Sequence, residues 1–191
     1  MKTEINIDEA RQIWNKYLTT EYLQFHTLES EAIMRKLAVH FSKGEDFWGI
    51  TGLLHDLDMD VINGDYSLHG YKTVDILKEE GYDIPEMFKA IISHTEGVSG
   101  NDAKRETDFE IILSAAENIT GMISAYVLMK TDKKIAGTKV KSIKKKLKSK
   151  AFAASVNREF IYDIEKTGID LDTFLQISID AMTEIAEDIG M

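Results

Sequence analysis

Apolar positions along the chain recur at helical spacing almost throughout. Ile7, Ala10, Ile13, Trp14, Tyr17 and Leu18 mark a first helix that Asn6 or Asp8 can cap. A longer one is expected over 21–41, carrying Phe25, His26, Ile33 and Leu37 and ending near Lys43-Gly44. Asp46 opens a third, through Phe47, Ile50, Leu53 and Leu54 to the pair His55-Asp56; Asn63-Gly64-Asp65 then forms a turn. Ser67 suits the cap of a fourth helix over 68–80, and Pro85 the first position of a fifth over about 86–95. The polar stretch 97–107 reads as a loop. A long, mostly apolar and central helix follows over 108–129. The stretch 139–156 reads as one amphipathic helix, with Val140, Ile143, Leu147, Phe152 and Val156 on one side and lysines on the other. Two more helices are expected over about 157–166 and 170–189. No stretch alternates as a strand would, so the predicted fold class is all-α.

Composition narrows this picture. With 191 residues, 43% hydrophobic, the chain can bury one substantial core. A single domain over 1–191 is expected, with a core of about 20–130 and the remaining helices packed on it. The absence of cysteine excludes disulfides, thiolate zinc sites, iron–sulfur clusters and a cysteine nucleophile. A metal here would be held by nitrogen and oxygen. No signal-like leader and no uninterrupted apolar run near about 18 residues is visible, so the expectation is a cytoplasmic protein with no membrane partner.

The net charge of −10 argues against general nucleic-acid affinity, yet ten lysines against one acid, Asp132, occupy 130–150. A solvated face is the commonest meaning of such a run. Steering of an anionic substrate, with contacts from Lys141, Lys145, Lys148 or Arg158, comes next. Nucleic acid ranks last because no aromatic residues interleave with the lysines.

The chemistry concentrates at Gly52-Leu53-Leu54-His55-Asp56-Leu57-Asp58, where an imidazole and a carboxylate end an apolar run. Burying two strong ligands there is costly unless something binds them, and a metal ion is the simplest candidate. His26, His69 and His94 gain weight only by acting with this pair. His40 lies 14 residues after His26, roughly 21 Å along one helix, and cannot share an ion with it. Glu117, flanked by Ala115, Ala116, Ile119 and Gly121, is an unusual carboxylate for the middle of a buried helix. Asp58 and Glu96 are candidates for orienting ligands by hydrogen bonding.

A helical histidine, then His55-Asp56, then an acid on a later long helix resembles the ligand order of the HD-domain superfamily of metal-dependent phosphohydrolases. The chain also resembles small bacterial HD proteins through His69-Gly70, Ser93-His94, Ala116-Glu117-Asn118-Ile119-Thr120-Gly121 and Lys144-Lys145-Lys146-Leu147-Lys148. The resemblance implies a helical HD core with additional C-terminal helices, and His26, His55, Asp56 and Glu117 as ligands of one divalent ion: Mn, Fe, Co, Ni, Zn or Mg. Glu117 departs from the family's usual Asp. The implied reaction is metal-assisted attack of water on a nucleotide or other small phosphate ester, with Asp56 in the catalytic set.

His69 and His94 are read first as catalytic or substrate-contacting groups and second as ligands of a further ion bridged by Asp56. The runner-up function is a catalytically weak regulatory module that binds metal and ligand. A third is a di-iron oxidative enzyme, which requires His69 and His94 as ligands. The apolar stripe of the last helix, including Phe174, Leu175, Ile179 and Met182, can pack inward or across a homodimer.

Overall fold

The computed structural model describes residues 1–191 as nine α-helices and three short 3-10 turns, with no strand. A single bridge pairs Lys2 with Tyr82. The chain opens with α1 (Ile7–Tyr17), capped by Asn6, whose side chain accepts from the amide of Glu9. Next come α2 (Glu21–His40) and α3 (Glu45–Leu54), which pack closely side by side. Their contact depends on Gly52, because a Cβ there would meet the Ser30 carbonyl oxygen at 2.8 Å.

The expected fourth helix is divided. A 3-10 turn over Tyr66–Leu68 comes first, Gly70 takes φ +80°, and only then does α4 (Tyr71–Glu79) begin. Asp65 caps the turn in place of the expected Ser67 cap. The break lets His69 leave the helix axis. Pro85 opens α5 (Pro85–Ser93) as expected. Thr107 caps α6 (Asp108–Leu128), the longest helix, which touches α2, α3, α5, α7, α8 and α9.

The expected helix over 139–156 ends early: α7 spans only Val140–Leu147. Phe152 and Val156 still pack on the core, so the apolar spacing reports burial correctly but not the backbone. The reason is Arg158, the first residue of α8 (Arg158–Tyr162). Its guanidinium donates to the carbonyls of Leu147, Ser149, Phe152, Ala153 and Val156, groups that a continuing helix would need for itself. After another 3-10 turn, α9 (Leu171–Glu184) closes the chain and buries Phe174, Leu175, Ile179 and Met182.

Two apolar clusters result. One gathers residues from α2, α3, α6, α7, α8 and α9 around Ile112, Ile119 and Phe174. The other gathers α1, α3, α4 and α5 around Leu53, Leu54 and Met87. The polar cluster described next is built from α2, α6, the C-terminal ends of α3 and α5, and the segment just before α4.

Candidate metal centre

Four imidazoles converge on one carboxylate. Asp56, just past the end of α3, has Oδ2 3.5 Å from His26 Nε2, while its Oδ1 lies 3.3 Å from His55 Nε2, 3.5 Å from His69 Nε2 and 3.4 Å from His94 Nε2. Neighbouring rings have centroids 4.9–5.1 Å apart. His55 and His94 each follow the last turn of a helix, where a side chain can turn inward.

The other ring nitrogen of every histidine is already committed. His55 Nδ1 donates to the Gly52 carbonyl at 2.8 Å, His94 Nδ1 donates to the Ile91 carbonyl, and His69 Nδ1 donates to Asp58 Oδ1 at 2.9 Å. The Thr120 hydroxyl gives its proton to the Glu117 carbonyl and is left to accept from His26 Nδ1 at 2.8 Å. Each acceptor fixes the tautomer, so each neutral ring turns the Nε2 lone pair inward. His26 Nε2 and His55 Nε2 face each other at 3.2 Å with no proton assigned to either by this network. Asp56 Oδ1 and His94 Nε2 are buried without a hydrogen-bond partner. Such a convergence of lone pairs is repulsive until a cation enters it.

The electrostatics point the same way. Burial pushes the pKa of His55 down to about 3 and that of His26 downward too, so both rings are neutral at physiological pH. Burial works against ionisation of Asp56, but the positive charge that a proton on a surrounding ring would bring, on His55 foremost, holds its carboxyl well below the usual range. Burial and the charge of Asp56 push Glu117 well above the usual carboxylate range, with Asn118 and Arg105 pulling the other way. Burial lowers the affinity of His69 for a proton, but the bond to Asp58 and the charges of Asp56 and Asp58 outweigh it and raise its pKa.

Two overlapping groups of donors can each hold an ion. The ligand atoms of His26, His55 and Glu117 lie within 4.8 Å of one another, and so do those of His55, Asp56 and His94. All are nitrogen or carboxylate oxygen. They fit a divalent metal of the borderline-to-hard kind.

The family model of the HD domain matches residues 24–122, a span that begins two residues before His26 and ends five after Glu117. The chain belongs to the HD-domain family. Neither a search of curated proteins nor one of solved structures returned a match. The matched HD span contains all six residues of the cluster and ends within α6, before the lysine-rich segment, so α7, α8 and α9 lie outside it.

Around this HD centre, Asp58 takes the orienting part expected of it. Besides His69, it accepts through Oδ2 from the amide of Gly70 at 2.6 Å and from that of Thr73 at 3.3 Å. Glu96 does not. It binds Lys104 and Arg105, which hold its pKa at about 2 although burial pushes it up. Arg158 is likewise removed from any phosphate-contacting set, because every one of its N–H groups is spent on main-chain carbonyls. Lys141, Lys145 and Lys148 are exposed, away from the cluster's hydrogen bonds and without an ion pair; the neighbouring Lys144 pairs with Asp172. Two residues near the cluster carry no functional signal in the sequence. Thr120 lies in a segment noted only for its resemblance, and Arg105 in a loop with no periodic signal.

Proposed function

We propose that the chain is a metal-dependent phosphohydrolase whose centre takes two divalent ions sharing Asp56, and that its substrate is a small phosphate ester such as a nucleotide. The first ion would be held by His26, His55, Asp56 and Glu117, the second by Asp56, His69 and His94. The observation that carries this reading is the set of four Nε2 atoms turned onto one buried carboxylate, those of His55, His69 and His94 onto an oxygen that has no donor and that of His26 onto the other. Divalent metal bound there supplies Lewis acidity at a phosphoryl group and lowers the pKa of a water beside it. In this reading His69 and His94 serve as ligands ahead of the acid or substrate contact expected first.

The chain's own residues do the rest. Asp56 offers both of its oxygens to the rings, Oδ2 toward His26 and Oδ1 toward His55, His69 and His94. Gly52, Ile91, Asp58 and Thr120 hold the rings so that little reorganisation is needed when charge develops. Glu117, reluctant to ionise alone, gains its charge with the cation. Lys141, Lys145 and Lys148 act at a distance, drawing anions toward an otherwise acidic protein, and a cytoplasmic setting suits such a substrate.

The test is hydrolysis of a panel of phosphomonoesters and phosphodiesters by protein stripped with chelator and reloaded with Mn, Fe, Co, Ni, Zn or Mg. Turnover that returns with metal and is absent from Asp56→Ala is expected. Metal-loaded protein that is stabilised by phosphate esters yet never cleaves them would replace this reading with the regulatory module. Oxygen consumption by the iron-loaded form, without ester cleavage, would replace it with the oxidative enzyme.

A further inference from the structure

The loop before α6 holds a cation whose hydrogen bonding is incomplete. The Arg105 side chain is only 8% exposed. Its Nε donates to Glu96 Oε2 at 3.0 Å and its Nη2 to Asp163 Oδ2 at 3.0 Å. The guanidinium carbon lies 3.6 Å from the ring centroid of Phe160, which fixes the plane of the group. Nη1 is buried and has no acceptor at all. A charged N–H stranded away from water is costly, and one stranded on a guanidinium held by two carboxylates and an aromatic ring is set in place for an acceptor that comes from elsewhere.

The location decides what that acceptor is. Glu96, which grips Nε, follows His94 by two residues, while Asp163 and Phe160, which hold the rest of the guanidinium, belong to α8 and the 3-10 turn after it, both packed on α6, the helix that carries Glu117. Arg105 therefore sits between the His94 end of α5 and the elements packed on α6. A cation repels metal, so the incoming group is an anion, and a phosphoryl oxygen not engaged by metal fits both the charge and the donor geometry. We propose that Arg105 is the phosphate-binding residue of the centre, holding the substrate's phosphoryl group through Nη1. This rests on the phosphohydrolase reading for the nature of the substrate, not for the existence of an anion site.

Calorimetric titration of the manganese-loaded protein with inorganic phosphate tests it, on wild type, Arg105→Lys and Arg105→Gln, with metal content measured on each. Phosphate affinity is expected to fall about tenfold or more in Arg105→Gln, and KM for a cleaved ester to rise alongside, at unchanged metal content. Arg105→Lys keeps a charge between Glu96 and Asp163 and is expected to lose less.

Equal phosphate affinity in all three proteins, or no phosphate binding by wild type, overturns the proposal. Should both variants misfold, the Arg105 guanidinium resonances of zinc-loaded wild type are read by NMR. They are expected to shift on adding phosphate, and unmoved resonances overturn the proposal. Phosphate binding that depends on Arg105 in a protein that cleaves no ester would sink the phosphohydrolase reading and leave this one standing. Ester cleavage with KM unchanged in both variants would do the reverse.

Discussion

Each histidine of the centre is a pair of decisions, one nitrogen tied to the protein and the other offered to the cavity. Asp58 makes that decision for His69 and also receives the amides of Gly70 and Thr73. In Asp58→Asn a side-chain amide must share that crowded pocket of donors. We expect metal affinity to fall about 10–100-fold, read by competitive zinc titration, together with a lower melting temperature. An unchanged zinc affinity would show that His69 needs no orienting partner.

Glu29 provides a second test at this scale, away from the centre. It is buried, accepts from the Ser124 hydroxyl at 2.9 Å, and burial raises its pKa from 4.5 to about 8 despite that bond. Between these values the folded chain holds a proton that the unfolded chain has lost. The stabilisation is therefore whole below about pH 4.5 and is lost as pH rises toward 8. Glu29→Gln should melt higher than wild type at pH 8, by the equivalent of a few kcal/mol at most, and the gain should vanish near pH 4.5. A gain independent of pH would contradict the assignment. The sequence already marked His26, His55, Asp56 and Glu117 by type and order, and offered the convergence of His69 and His94 on Asp56 only as a second reading. That convergence follows from the break at Gly70, which hydrophobic spacing cannot register.

Helices were legible where apolar spacing and caps agreed. The bounds of α1, α2, α3, α5 and α6 fall within a residue or two of those expected. They failed where a distant polar group competes for the backbone, as Asp58 does for the Gly70 amide and Arg158 for the carbonyls past Leu147. Two predictions belong here. Gly52→Ala puts a methyl 2.8 Å from the Ser30 carbonyl, so α2 and α3 must separate, at a cost of about 1–3 kcal/mol in chemical denaturation. A neutral outcome would mean that the two helices are not locked together. Arg158→Lys keeps charge but cannot reach five carbonyls, so limited proteolysis should cut within 148–157 while wild type resists. Equal resistance would remove Arg158 as the organiser of that segment.

At the scale of the whole molecule, α6 is the element to which the remainder of the fold is fitted. It is by itself long and apolar enough to cross a membrane, which a search for an uninterrupted apolar run misses because Glu110, Glu117 and Asn118 interrupt it. Here it is the central helix, and its polar interruptions have work in the fold: Glu117 stands beside His26 and His55 in the buried cluster, and Asn118 accepts from the amide of Asn157 at 2.8 Å to hold the chain that leads into α8. The lysine-rich segment was legible as charge but not as architecture, because what shapes it is contributed by Arg158 from beyond it.

The central claim is that the cluster around Asp56 is a metal centre, and metal content per chain by elemental analysis tests it most directly, on wild type and Asp56→Ala prepared alike. About two divalent ions per chain in wild type, and loss of both from the variant, is the predicted result. Wild type that carries no divalent metal, and takes up none when it is offered, would contradict the account.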